Sequence, residues 1–456
     1  MGAETGAIKG GGIGGGTLGG GTGIGEGGIG IELPAFDTII LQQPQEFLPA
    51  YNYNAFVVRS GNNYLPSFKY VAVIYLNGDL SNPIIEKSSP HPVYGSAYFN
   101  PARMTESLVK YDIHNFTYGF SDNKNTISTY YIDFYEEYEW HGEIVLNKEE
   151  KISSDEVKIW NGIIDYYNYQ SYNCQNYLID YGVILNHTLP RDVRMSDNGW
   201  IYYLASDLTS LYENIQVNAY DSAGGLLAST NLRNNFQDGA VLTNHSMRFD
   251  CCPNGLNNFD VSAIISGSQP IIPPTTAYYE IDLDISPNLL LRFNIVEDSC
   301  KYETFRLHYQ NNLGAFESFN FMLASKHTEN IKREKYKGIV GGMNDYDGEG
   351  YGYNISDRST TNFFTIIKDT YKVRTNWLSE EYKEVLEQLV SSPVVYWEKM
   401  IYPPTSSSPI IQLPYLALVP IDIVNTNYEF DQKVTKRNFN LEIDFELSHD
   451  RYRQRN

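Results

Sequence analysis

Apolar and polar positions alternate along several short stretches of this chain, and the alternation predicts β-strands. The clearest case is the end, Phe439-Asn440-Leu441-Glu442-Ile443-Asp444-Phe445-Glu446-Leu447, where every second side chain is apolar. Such a stretch lays one face on a core and the other in water, as a closing strand tied into a sheet does. From Tyr279 to Ile285 the same period separates an apolar face from an acidic one. Shorter apolar runs at 55–58, 70–75, 126–140, 200–204, 215–220, 394–397 and 416–421 add further strands. Asn77-Gly78 and Asp221-Ser222-Ala223-Gly224-Gly225 follow two of these runs and are turn signals.

Helical periodicity is sparse. Ser379 is placed to cap a helix with Glu380 and Glu381 in its first turn, and Val385, Leu386, Leu389 and Val390 share one face before Pro393 stops it. Asn100 with Pro101 predicts a second, shorter helix whose apolar face is Met104, Leu108 and Val109.

The expected fold is therefore mainly β, in β-sandwich-like units with few short helices. At 456 residues several domains are expected. The pattern divides the chain into a glycine-rich arm at 1–33, a β-sandwich-like unit at 34–145, a second β unit at 146–300 and a third at 301–456. The third holds the helix near 379–391.

The arm breaks the pattern. Glycine fills more than half of positions 2–31, and the apolar residues between Ile8 and Ile29 recur at gaps of five or six. Glycine loses the most backbone entropy on ordering, so a flexible linker is one reading. The other is an extended arm that seats Ile13, Leu18, Ile24, Ile29 and Ile31 in pockets of a neighbouring subunit. No GKS or GKT follows the glycines, so it is not a phosphate loop.

Charge narrows the partners. The net charge is −21, from 55 acidic and 34 basic residues. That argues against coating nucleic acid or binding an anionic membrane surface. No run of eighteen apolar residues is present, so no spanning helix is expected, and no signal peptide is read at the start. Four cysteines without metal spacing suggest folding in a reducing cytosol.

Chemical motifs are few, and no cofactor is expected. Asp345-Tyr346-Asp347-Gly348-Glu349-Gly350 resembles a calcium loop, but position 12 of that loop would be Ser356 instead of glutamate. His141 and His308 lack a histidine four residues on, so both are expected to be structural. Carboxylate pairs for glycoside hydrolysis leave no sequence signature. No GxSxG elbow occurs, and an enzyme is not the expectation. The 38 tyrosines are the strongest chemical signal. Tyr166, Tyr167, Tyr169 and Tyr172 lie in a Tyr/Asn/Gln/Ser stretch suited to a subunit interface or to sugar contact. The bland alternative is a solvated strand or loop.

Phe68-Lys69-Tyr70-Val71 ahead of the Asn-Gly turn, Tyr94-Gly95 before a short helix, and Leu189-Pro190-Arg191 ahead of an aromatic strand together resemble virion structural proteins of tailed phages that infect Bacteroidetes. Leu313-Gly314-Ala315-Phe316-Glu317-Ser318-Phe319-Asn320-Phe321 resembles the family's LGGxxxFxF segment, with Ala315 in place of its second glycine. Trp377-Leu378-Ser379-Glu380-Glu381, Ser391-Ser392-Pro393-Val394-Val395-Tyr396 and the terminal strand complete the order. The glycine arm has no counterpart in it. The resemblance implies a tail, baseplate or head-to-tail connector component of the virion. Its partners would be other virion proteins and copies of itself, and it would have no catalytic residues. A host-attachment protein that binds surface glycan is the alternative, and a tail-associated glycan hydrolase the third.

Overall fold

The computed structural model describes residues 33–113, 118–174, 183–205, 215–234, 245–267, 269–283, 289–297, 302–343, 350–402, 414–431 and 438–452. Strands take up 51% of the described residues and helices 11%, so the mainly β class expected from the alternation is the class observed.

Two sheets open the chain. Thr38–Gln42, Phe56–Ser60 and Ser96–Phe99 form a small one. Phe47–Pro49, Val157–Trp160, Ile127–Trp140, Lys69–Leu76 and Ile84–Ser88 form a larger one, with Glu143–Ser153 added to the long Ile127–Trp140 strand. Phe56, Val58 and Phe99 of the first sheet pack on Tyr70, Ile74, Tyr130, Ile132 and Phe134 of the second. That is a sandwich built by inward alternation on both sheets. The Asn77-Gly78 signal is a tight turn with both residues at positive φ, closed by the Asp79 amide donating to the Leu76 carbonyl at 2.9 Å. Asn77 Oδ1 also accepts from the Thr129 amide at 3.1 Å, which ties the turn to the neighbouring strand.

A second pair of sheets follows. Val183–Ile184, Trp200–Ala205, His245–Asp250 and Phe120–Asp122 make four strands. Arg191–Val193, Leu290–Ile295, Tyr278–Asp282, Ile215–Tyr220, Leu226–Leu232 and Ile264–Ser266 make six. Ile201, Tyr203, Met247 and Phe249 meet Val217, Leu232, Ile281 and Phe293 between them. In the 279–283 alternation Tyr279, Ile281 and Leu283 are the buried members.

The last sheet has nine strands. Its order is Phe316–Phe321, Phe305–Gln310, Val395–Ile401, Tyr415–Asp431, Asn438–Leu447, Thr360–Arg374 and Lys326–Lys337, with Leu378–Ser379 and Arg451–Tyr452 as short additions. Asn438–Leu447 is an interior strand, and Phe439, Leu441, Ile443 and Phe445 are its buried face. The helix starts as one 3-10 turn, Glu380–Tyr382, after Ser379. It continues as Lys383–Ser391 and packs Val385, Leu386 and Leu389 against this sheet. Ser379 holds the cap position without a side-chain cap hydrogen bond. No helix among the described residues is long and apolar enough to cross a membrane.

A fourth cluster joins the three groups of sheets. Phe47 and Trp160 from the first, Leu185, Trp200 and Tyr202 from the second, and Ala315 and Phe316 from the third share it. Ala315 is completely buried there.

Candidate functional site

Beside that shared cluster lies a buried polar network. Arg306 is raised on the Phe305–Gln310 strand, and its Nη1 donates to Asp197 Oδ2 at 3.1 Å and to Asn320 Oδ1 at 3.0 Å. Its Nε donates to the Asn198 carbonyl at 2.8 Å. Asp197 also accepts from the Arg194 amide at 2.9 Å and from Asn320 Nδ2 at 2.6 Å. Burial pushes the Asp197 carboxyl up, but Arg306 and Arg194 outweigh it, so the group stays below its ordinary range. These are buried charges held by full hydrogen bonding, as burial demands.

Cross-strand neighbours extend the network. His308 Nε2 lies 2.7 Å from Glu398 Oε2, and Ser318 Oγ lies 3.0 Å from His308 Nδ1. Serine, histidine and carboxylate in a row have the connectivity of a nucleophile with its base. The His308 ring, however, is 1% exposed and roofed by Trp200, whose ring centroid is 5.1 Å away. Burial lowers the His308 pKa despite the Glu398 partner. The cavity that His308 lines is about 10 Å³, the size of a single water, and the relay links three neighbouring strands.

A second knot sits nearby. Glu317 is buried and accepts from the His187 amide at 2.7 Å and from Arg191 Nη2 at 3.2 Å. His187 Nε2 lies 3.4 Å from the same carboxylate. Burial nevertheless lowers the His187 pKa to about 4, with Glu317 opposing the shift and Arg191 adding to it.

Above this knot opens a cleft of about 290 Å³. Its apolar wall is Phe319, Leu323, Trp377, Leu378 and Val385, and polar residues, Arg191, Asp192 and Asn376 among them, line nearly as much of it. Trp377 and Leu323 are half-exposed there. Tyr382 is fixed by its hydroxyl, which donates to the Pro190 carbonyl at 2.7 Å.

From the edge of the cleft a ribbon runs outward, two-stranded only beyond Ile366, where the pairing of Thr360–Arg374 with Asn438–Leu447 and Arg451–Tyr452 ends. Lys326–Lys337 pairs along its whole length with Thr360–Arg374 and is exposed at all twelve positions. Past its end, Ile339, Tyr351, Tyr353 and Ile355 are exposed. Near the base, ligand atoms of His327, Glu329 and Asp369 lie within 4.8 Å of one another, a spacing that could hold a metal. Arg451 already supplies the positive charge: its Nη2 donates to Glu329 and to Asp369, each at 2.7 Å. The cluster is thus a clasp between the terminal strand and the ribbon.

The residues singled out from the sequence scatter. Tyr166–Tyr169 is a short helix, where a strand or loop was the bland expectation, because Asp165 begins it and backbone bonds from Asn168 and Tyr169 return to the Asp165 carbonyl at 2.9 Å. Tyr166 and Tyr167 are exposed. Tyr169 turns inward and donates to the Tyr53 carbonyl at 2.8 Å, and Tyr172 donates to the Phe47 carbonyl. Ile13, Leu18, Ile24, Ile29 and Ile31 lie outside the described residues, as does 345–349 of the calcium-like loop. The start of the described chain is pinned: the Glu136 carboxylate accepts from Thr38 Oγ1 at 2.6 Å and from the Asp37 amide at 3.2 Å. His141 is a turn residue at φ 53°, joining the Ile127–Trp140 and Glu143–Ser153 strands.

Sequence reasoning missed the ribbon and the cleft. A strand wet on both faces has no alternation to show. The walls of the cleft come from three segments far apart in the chain. No protein-family model matches this chain, and no curated protein does.

Proposed function

We propose that this chain is a virion structural subunit of the tail, baseplate or head-to-tail connector, and that it acts in particle assembly with copies of itself and other virion proteins. The observation that carries the reading is the ribbon. A twelve-residue strand exposed at every position has no core of its own. Two-stranded hairpins are marginal in water, and exposed apolar groups gathered at one end mark contact sites. A neighbour supplies the missing burial.

Three further features support this. The order of segments resembles such virion proteins. The mainly β fold offers rigid units joined by a buried network. The glycine arm leaves from a point fixed by Glu136, so it can reach a neighbour from a defined origin. Purified full-length protein should form multimers by native mass spectrometry, and removal of residues 1–31 should weaken them. Monomers alone at tens of micromolar would count against the reading.

Tyr166 and Tyr167, exposed with ring centroids 5.8 Å apart, favour a second reading: attachment to host surface glycan.

A further inference from the structure

We infer that the ribbon of one copy docks by its apolar end into the cleft at the base of another copy's ribbon, so that copies join head to tail. The inference deepens the assembly reading and rests on it.

The ribbon's outer end and the cleft match in shape. Ile355 is fully exposed and Ile339 nearly so, at the outer end of the ribbon. The cleft of about 290 Å³ has room for one or two aliphatic side chains. Its walls include the half-exposed Trp377 and Leu323, apolar area left open to water. Leu323 lies just before the first ribbon strand, and Trp377 just after the second. Twelve residues of strand span about 40 Å. Each copy thus carries a knob and a matching hole at opposite ends of one element, too far apart to meet within the chain.

The ribbon strands and the body also differ in charge. The two ribbon strands hold eight basic residues (Lys326, Lys332, Arg333, Lys335, Lys337, Lys368, Lys372, Arg374) and three acidic ones (Glu329, Glu334, Asp369), a balance of +5. The connection between them, 338–359, adds Arg358 against Asp345, Asp347, Glu349 and Asp357, so the whole hairpin stands at +2, and the remaining chain has 34 − 9 = 25 basic and 55 − 7 = 48 acidic residues, a balance of −23. Among the described residues, Lys326, Arg333, Lys335 and Lys337 have no ion-pair partner. Ribbon against ribbon repels, and body against body repels. Ribbon against body attracts, and it is the arrangement that also brings knob to hole. Asp192 in the cleft wall, and Glu381 next to the lining residue Tyr382, give the basic ribbon strands counter-charges, while Arg191 in the same wall faces the acidic residues of the connection.

A contact between two different surfaces of one chain repeats. It closes into a ring if the rotation allows, and otherwise grows into a filament. A two-fold pair with ribbons side by side would set +5 against +5.

The test uses full-length protein. Ile355→Cys is mixed with tagged Leu323→Cys under mild oxidation, with the unsubstituted chain as the control for native thiols. In parallel, Ile355→Asp is compared with the unsubstituted protein by mass photometry at low and high salt. The expected results are a cross-link between the two cysteine variants, self-association about tenfold weaker in Ile355→Asp, and weaker association at high salt. Because Ile355 is fully exposed, the substitution leaves the fold intact, which circular dichroism checks. If the unsubstituted protein assembles, Ile355→Asp assembles equally well and no mixed cross-link forms, the docking is overturned while the assembly reading stands. Cross-links between two Ile355→Cys copies alone would overturn it in favour of a symmetric pair. If the unsubstituted protein stays monomeric throughout, both fall.

Discussion

Arg306 Nη1 lies 3.1 Å from Asp197 Oδ2, and neither side chain is reached by solvent. The two are 109 positions apart and belong to different groups of sheets. A charge pair in that position costs desolvation and is repaid only by complete hydrogen bonding. It ties the segment that holds Asp197 to the Phe305–Gln310 strand.

Removing one partner should therefore be severe. Asp197→Asn leaves the Arg306 guanidinium with Glu398, 3.6 Å from its Nε, as its one remaining carboxylate, and about 3 kcal/mol of stability should be lost. Arg306→Met should cost a similar amount. The double variant should cost clearly less than the sum, because the partners share one interaction. Thermal unfolding of the four proteins at neutral pH measures the coupling, and simple additivity would show that the pair does not act as a unit.

Gly314 is the second test of how the sheets are joined. It sits at φ 88°, and a Cβ there would lie 1.8 Å from the Asn161 carbonyl oxygen. The same turn accepts from the Ile163 amide through the Asn312 carbonyl at 2.7 Å. Gly314→Ala should push the turn off residues 161–163 and lose at least about 2 kcal/mol. Ala315→Gly, at a completely buried position, should lose only about 1 kcal/mol. Melting temperatures decide, and equal small losses would contradict the close approach.

His187 should make the protein acid-sensitive. Its folded pKa of about 4 is below the ordinary histidine value, so between pH 6.5 and 4 the unfolded chain binds the extra proton. Stability is then present above pH 6.5 and lost as pH falls through that window. At pH 5 the loss is about 2 kcal/mol from this group. His187→Gln should flatten that part of the curve. Unfolding midpoints at pH 7 and pH 5 check it, and an unchanged pH slope in the variant would assign the acid sensitivity elsewhere.

How much of this was legible in the sequence depends on the kind of signal. Phe439, Leu441, Ile443 and Phe445 announced themselves, because a strand with one buried face must alternate. Asn77 and Gly78 did so through their tolerance of positive φ. The alternation says which face is buried, not how many strands flank it, so the interior place of Asn438–Leu447 was hidden. Arg306, Asp197 and Glu398 were illegible: each is an ordinary charged residue until the fold brings the three together. The ribbon left no trace because water on both faces removes the constraint that creates a pattern. His308 was read as structural on the absence of a partner at helical spacing, and its actual partners, Ser318 and Glu398, are cross-strand neighbours.

The tyrosines separate into two pairs with different expected behaviour. Tyr166→Ser and Tyr167→Ser should change stability by no more than about 0.5 kcal/mol, since both rings are exposed. Tyr172→Ala should destabilise, because it loses the bond to Phe47 and the ring contact with Trp160. If Tyr166 and Tyr167 serve glycan attachment, their replacement should also abolish saturation-transfer signals from host polysaccharide. Persistence of such signals would place the sugar elsewhere.

Electron micrographs of the purified full-length protein test the proposed assembly of the chain with itself most directly. Class averages should show closed, rotationally symmetric particles or head-to-tail filaments, with the Lys326–Lys337 ribbon bridging adjacent copies. Single copies at every concentration, with the ribbon free in solvent, would contradict it.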